Sequence, residues 1–408
     1  MLSRCIGIDP DVFAAEYWGR KPLLSRSDAL PRDFCDLLSP DMVDELIAER
    51  GVRAPFLRLA KEGRVLAKDS YLGPAGFGAE IADQVDSAKV LAQLDSGATA
   101  VLQGLHRLWP PLIDFVQQAV ADIGHPVQAN AYITPPGNRG FDFHHDVHDV
   151  FVLQVSGTKR WIVHEPVHRH PLPAQAWTHY REQIEERVTA DPVLDTVLSA
   201  GDALYLPRGW VHAAQAMDTT SIHLTLGVSA TTGLDVARAV LDELGQFEEF
   251  RASLPMGSDP TDADQIAATT AKVIADMVAH LRDNAQTLST AAADRLITRH
   301  SSRTRPEAVR PLATLRAAEQ ADTSAVRWRS ALHATVDQVS GARVSLRLPD
   351  KTITFPDTCA AALRDILTGH AVAAAALPGL DAADGAVLIR RLLREGVVVP
   401  ADAPETRP

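Results

Sequence analysis

Long apolar runs, paired cysteines and surplus positive charge are all missing from this chain, and each absence removes a class of function. No stretch approaches the roughly 18 to 20 apolar residues that carry a helix across a bilayer, so no membrane span is expected. Only three cysteines occur, Cys5, Cys35 and Cys359. They lie far apart with no CxxC spacing, which implies neither a disulfide framework nor a thiolate zinc site and fits a reducing compartment. Residues 1–11 hold charges at Arg4 and Asp9 and no apolar core; no signal peptide is expected, and a cytoplasmic location follows. Lys and Arg total 40 against 52 Asp and Glu, a formal net charge of −12. That balance argues against a general nucleic-acid binder and suits a basic protein partner.

What is present is most informative between residues 140 and 161, which read GFDFHHDVHDVFVLQVSGTKRW. A His-x-Asp pair, His144 and Asp146, sits between the turn Pro135-Pro136-Gly137 and the apolar run 150–155. A lone histidine, His212, closes the later strand-turn stretch GDALYLPRGWVH. Two imidazoles and one carboxylate form the facial triad that holds non-haem Fe(II) and leaves positions open for oxygen and substrate. Side chains two apart on a strand share a face, so His144 and Asp146 can reach one ion while His145 points away. His212 must return on another strand, which a β-barrel provides. His145, His148 and Asp149 form an overlapping cluster. If the strand is regular, His148 shares the face of the pair, as a supporting neighbour or a competing ligand.

At 408 residues the chain exceeds one average domain. Short helices are expected at 11–18, 41–49 and 88–95, with β-like sequence at 56–59 and 64–67. A longer helix is expected over 102–121, interrupted by Pro110-Pro111, with Trp109 in the core. From 126 to 229 the pattern turns to period-two strands and Gly/Pro turns, the signature of a barrel. The segment 164–188 carries His164, His168, His170 and His179 at spacings that match no metal site, and reads as a solvated loop over the barrel mouth. Amphipathic helices at 232–250 and 262–284 need a partner surface. Two β-like runs at 343–348 and 352–355 follow, then helices at 359–367 and 384–394 and a last run at 396–399.

In order along the chain, these motifs resemble the jumonji-C oxygenases of the ribosomal-oxygenase type, cupin-fold enzymes that use Fe(II) and 2-oxoglutarate. The matching residues are Glu16-Tyr17-Trp18 with Lys21-Pro22-Leu23, Asn130-x-Tyr132-x-Thr134-Pro135-Pro136, the HxD pair and Val152-Leu153-Gln154-Val155-x-Gly157-x-Lys159-Arg160-Trp161. Gly201-Asp202-x-Leu204-Tyr205-Leu206-Pro207-Arg208-Gly209 with His212, and His223-Leu224-Thr225, complete the series. The resemblance runs from about residue 10 to the end. It implies an α+β fold: a double-stranded β-helix (jelly-roll) barrel over 1–230, a helical dimerisation region over 231–335 and a winged-helix-like domain over 336–408. It implies iron on His144, Asp146 and His212, and 2-oxoglutarate on Lys159, Asn130, Tyr132, His223 and Thr225. Lys159 would pair with the far carboxylate, since a dianion inside a barrel needs a fixed cation.

The function so implied is a dioxygenase, consuming O2, that hydroxylates arginine or histidine of a ribosomal protein. Other readings are a cupin metalloenzyme or peptide-modifying hydroxylase of a biosynthetic pathway, a lysine demethylase, and a catalytically silent scaffold. Lys159 argues against the first and the intact triad against the last. Residues 341–408 hold 8 Lys and Arg against 8 Asp and Glu, so the C-terminal domain lacks the basic excess that phosphate neutralisation requires and a protein contact is expected there.

Overall fold

The computed structural model describes residues 1–339 and 341–401; residues 402–408 of the expected C-terminal domain lie outside the described residues. Two compact units divide the chain, Met1–Ala230 and Thr231–Pro408.

Thirteen strands build the first unit: β1 (Leu23–Ser25), β2 (Leu57–Lys61), β3 (Arg64–Val65), β4 (Leu72–Gly73), β5 (Gln84–Val85), β6 (Thr99–Leu102), β7 (Val127–Thr134), β8 (Asp149–Ser156), β9 (Lys159–His164), β10 (Leu194–Leu198), β11 (Ala203–Leu206), β12 (Val211–Ala216) and β13 (Ser221–Val228). An eight-stranded antiparallel sheet runs β1-β11-β8-β13-β7-β6-β2-β3, and a three-stranded sheet runs β10-β9-β12. Period-two alternation divides each strand between two apolar layers. In β8, Val150 and Val152 join Trp161 and Val163 of β9, Leu204 and Leu206 of β11 and Trp210 in a core between the sheets. Phe151, Leu153 and Val155 turn the other way, into the larger core with Phe13, Leu112, Phe115 and Val116 of the helices. β8 is buried on both faces, which is why it reads as a continuous apolar run.

The helix expected over 102–121 divides. Residues Thr99–Leu102 are β6, Trp109 is the N-cap, and the α-helix is Pro110–Ile123 with proline at its first positions. Proline has no N–H to lose in the first turn and its fixed φ suits a helix start, so the pair begins this helix rather than interrupting one. Trp109 is core, with its indole N–H on the Leu37 carbonyl at 3.1 Å. The β8–β9 turn passes through Gly157 at φ +64°, where a Cβ would lie 2.2 Å from the Thr220 carbonyl oxygen. Only glycine clears that approach.

In the second unit, Gly233–Glu243 packs on Ala285–Thr304, tied by Arg295 to Glu243 at 2.7 Å and Arg299 to Asp235 at 2.9 Å. The single helix expected over 232–250 breaks at Leu244–Gln246, a 3-10 turn containing Gly245, before the short helix Glu248–Arg251; glycine is a poor helix former. The 21-residue helix Ala263–Asp283 buries none of its residues. A separate core forms between residues 317 and 398. It gathers β14 (Val326–Trp328), β15 (Thr335–Val339), β16 (Arg343–Arg347), β17 (Thr352–Pro356) and β18 (Val398–Pro400) with helices Ala360–Leu367 and Ala382–Arg394. β15, β16 and β17 make one antiparallel sheet and β14 pairs with β18.

Candidate metal and cosubstrate site

A cavity of about 270 Å³ opens between the two sheets of the first unit, lined by His144, Asp146 and His212, by Lys159 and Trp161 of β9, and by Tyr132, His223 and Thr225 of β7 and β13. The period-two register explains the choice of residues. β9 sends Lys159, Trp161 and Val163 inward, while Arg160 turns outward to pair with Asp195. β13 faces His223 across the sheet from Tyr132, and their rings stack at 4.9 Å.

His144 and Asp146 do not lie on a regular strand. They belong to the loop before β8, which touches β12 through one β-bridge: His144 N–H donates to the His212 carbonyl at 3.1 Å and His212 N–H to the His144 carbonyl at 2.9 Å. The expected sidedness holds without the strand. Ligand-type atoms of His144, Asp146 and His212 all lie within 4.8 Å of one another, and His212 Nε2 is 3.8 Å from Asp146 Oδ2. Among the described residues this is the one such group of three. His145 is buried on the other side, its ring 5.7 Å from that of Tyr180.

The ring nitrogens are sorted for metal binding. Nδ1 of His144 faces the Asp142 carbonyl at 2.7 Å and Nδ1 of His212 the Trp210 carbonyl at 3.0 Å. An imidazole that donates from Nδ1 presents the lone pair of Nε2. Burial, followed by the neighbouring His144, pushes the His212 pKa down to about 4, so the ring is neutral near pH 7, as a ligand must be. Burial raises the Asp146 carboxyl, but attraction from His148, His144, His212 and His145 outweighs it and holds the pKa below its ordinary value.

His148 stands close enough to favour the Asp146 carboxylate but is outside the group of three. It packs over Gly227, where an added Cβ would come within 2.6 Å of its ring. Asp149 is committed elsewhere, accepting hydrogen bonds from the Tyr205 hydroxyl at 3.0 Å and from Arg208 N–H at 3.3 Å. Among the described residues neither His148 nor Asp149 joins the group of three. Asn130 shares the face of Tyr132 on β7 but is not among the lining residues, and its amide oxygen accepts the Gly104 N–H at 3.0 Å. His164 is a correction: it is not in the loop but buried at the end of β9, its ring 5.5 Å from Phe143.

Lys159 is buried, and among the described residues it forms no ion pair; its Nζ donates to Thr134 Oγ1 at 3.0 Å. Burial alone pushes its pKa down to about 7. Burial also holds the His223 imidazole well below its ordinary value, with Lys159 adding to the effect. Trp161 Nε1, His223 Nδ1 and Arg58 Nε are buried polar atoms of the lining without a hydrogen-bond partner. A buried cation without an anion and donors without acceptors are costly unless something is bound there. A carboxylate ligand beside a cation held by two imidazoles and a carboxylate suits this set. Three further lining residues, Arg58, Thr99 and Trp177, carry no motif, and nothing in their spacing marks them; Phe141 also lines the cavity and stands three residues before His144 in the stretch that holds the pair.

Residues 111–236 match the JmjC domain family. Among curated relatives, a Drosophila simulans protein described as bifunctional lysine-specific demethylase and histidyl-hydroxylase NO66 is 43% identical over 231 residues, 54% of this chain and 25% of that protein. Ribosomal oxygenase 1 of Rattus norvegicus is 36% identical over 167 residues, 38% of this chain and 28% of that protein. The chain spans less than a third of the length of these relatives. Escherichia coli YcfD, a ribosomal oxygenase solved with cobalt and 2-oxoglutarate, superposes with a TM-score of 0.53 at 16% identity, covering 98% of this chain and 99% of that one. The likeness shows a shared fold, an α+β arrangement of antiparallel sheets with flanking helices.

Proposed function

We propose that the protein is an Fe(II)- and 2-oxoglutarate-dependent dioxygenase that hydroxylates a protein side chain, with a ribosomal protein as substrate and arginine or histidine as the modified residue. The observation that carries this reading is the buried Lys159, without a counterion among the described residues, in the same cavity as His144, Asp146 and His212. The cobalt and 2-oxoglutarate bound by YcfD, and the names of the curated relatives, support it.

His144, Asp146 and His212 would hold the iron, and Lys159 with Thr134 would hold the far carboxylate of 2-oxoglutarate. Iron with the cosubstrate and O2 supplies the oxidising chemistry, in which 2-oxoglutarate is decarboxylated to succinate as one oxygen atom passes to the target carbon. The chain orients both ends of the cosubstrate. Tyr132, His223 and Trp161 line the same cavity, with stacked and edge-on rings at 4.9 and 5.5 Å. Burial of Lys159 strengthens its pair with a carboxylate relative to one in water.

The exposed Val273, Ile274 and Val278 lie at helical spacing on Ala263–Asp283, and this supports a homodimer formed through the helical region, by a two-fold contact. Helices Ala360–Leu367 and Ala382–Arg394 with the small sheets support a winged-helix-like domain that makes a protein contact; its core takes in Ala317, Val326 and Trp328, so this domain begins before residue 336, where the sequence suggested its start. Among the described residues no helix is long and apolar enough to cross a membrane, and a cytoplasmic site of action belongs to the same proposal.

Anaerobic calorimetric titration of the metal-loaded protein with 2-oxoglutarate tests the enzyme reading. Removing one partner of a buried ion pair costs about 3–5 kcal/mol, so Lys159→Ala should weaken binding by about a hundredfold or more. Lys159→Arg should be milder, since it keeps the cation. Absence of binding to the wild-type protein would move the assignment to a cupin metalloenzyme of another kind.

A further inference from the structure

One cation in the cavity has no answering charge once the proposed ligands are counted. The metal dication and Lys159 are balanced by Asp146 and the two carboxylates of 2-oxoglutarate, and Arg58 remains. Among the described lining residues Asp146 is the one carboxylate, and it belongs to the triad. Arg58 is half-buried on β2, lies beside Tyr132, and keeps its Nε buried without a partner. A guanidinium or ammonium entering as the target would add like charge to a partly desolvated space, where such repulsion is least screened.

The aromatic lining points the same way. Phe141 and Trp177 stand beside the ligand His144, their ring centres 5.8 and 6.3 Å from its own. A free aromatic face would attract a cation. Here each ring already carries one: the Arg58 guanidinium lies 5.7 Å from the Phe141 centre and that of Arg181 lies 4.7 Å from the Trp177 centre. A second cation at either ring meets the first one's repulsion, and Arg58, the less exposed of the two, weighs more. An uncharged planar group still gains ring stacking and dispersion.

We propose that this cavity selects an uncharged planar side chain, a neutral imidazole or a carboxamide, against guanidinium and ammonium. Phe141 and Trp177 are the contacting walls and Arg58 is the excluding charge. The inference rests on the 2-oxoglutarate reading of the site and narrows it.

The test uses the full-length protein loaded with Co(II) and 2-oxoglutarate, near pH 8, where a free imidazole is neutral. N-acetyl methylamides of histidine, glutamine, arginine and lysine serve as probes. Cobalt-induced relaxation of their side-chain protons, read by NMR, reports residence near the metal. The glutamine probe separates seating in the cavity from direct coordination by imidazole. The histidine and glutamine probes should be relaxed about tenfold more than the arginine and lysine probes, the factor that one like-charge contact supplies. Arg58→Met should bring the arginine probe up to the glutamine level, Arg58→Lys should keep it excluded, and Trp177→Ala should weaken the uncharged probes. Equal or stronger relaxation of the wild-type arginine probe, or none for any uncharged probe, overturns the proposal. Calorimetry of 2-oxoglutarate on the same sample is read separately: its failure removes the enzyme reading, whereas lost selectivity with 2-oxoglutarate bound removes only this inference.

Discussion

At the scale of single residues, Lys159 couples the cavity to pH. Its pKa falls from 10.5 to about 7 through burial. Below about pH 7 folded and unfolded chains both hold the proton, and the ligand-free fold carries the whole cost of a buried charge. Between about 7 and 10.5 the folded lysine is already neutral, so the cost shrinks as pH rises and is gone above 10.5. Lys159→Met should therefore stabilise the ligand-free protein by on the order of a few kcal/mol at pH 7, taking about 1.4 kcal/mol per pKa unit. Melting temperatures of the two proteins should converge towards pH 10, and a gap independent of pH would mean that Lys159 does not titrate as described. For the metal, His144→Ala, Asp146→Ala or His212→Ala should each lower cobalt affinity by at least about a hundredfold, because two ligands no longer define a facial site. His145→Ala should retain the affinity, since its ring turns towards Tyr180; calorimetric metal titration separates the two classes. That His144, Asp146, His212 and Lys159 meet in one cavity was legible because each sits inside a spaced motif. Arg58, Thr99 and Trp177 were not, because solitary residues from three separate segments converge only through the fold.

Elements were legible where a strand or helix has two unlike faces, and less so elsewhere. β7, β9 and β13 announce themselves by alternation, and their inward residues line the cavity. The loop at His144 mimics a strand in sequence because its ligands are two residues apart, yet only one bridge holds it to β12. Ala285–Thr304 gives little periodic signal, as it buries only Leu288 and Ala292. Gly157 is an element-scale hinge point for β8 and β9. Gly157→Ala forces a side chain into the left-handed region and against Thr220, so a loss of about 2 kcal/mol or more is expected from the strain and the collision together. Denaturant midpoints measure it, and because Lys159 follows two residues later, 2-oxoglutarate affinity should fall as well.

For the molecule as a whole, the sequence carried the order of the parts better than the manner of their association. Leu244 is an instance: its place in an amphipathic pattern marks it as an interface residue, but it is buried within its own unit. Leu244→Asp should therefore unfold that unit, and it cannot report on a dimer. Ile274→Asp with Val278→Asp changes two residues that are about half exposed. The double variant should keep its melting temperature within a few degrees and sediment as a monomer where the wild type is a dimer. A wild-type monomer at micromolar concentration would remove the homodimer from the proposal.

The paired main-chain hydrogen bonds between His144 and His212 have one more consequence. They fix the spacing of two ligands by peptide groups, which neither titrate nor depend on the ion. Stripping the metal should leave a vacant socket of unchanged width, so the amides of His144 and His212 should stay protected from hydrogen exchange after chelation. Reloading should then proceed at the speed of ion dehydration, with no slow refolding phase.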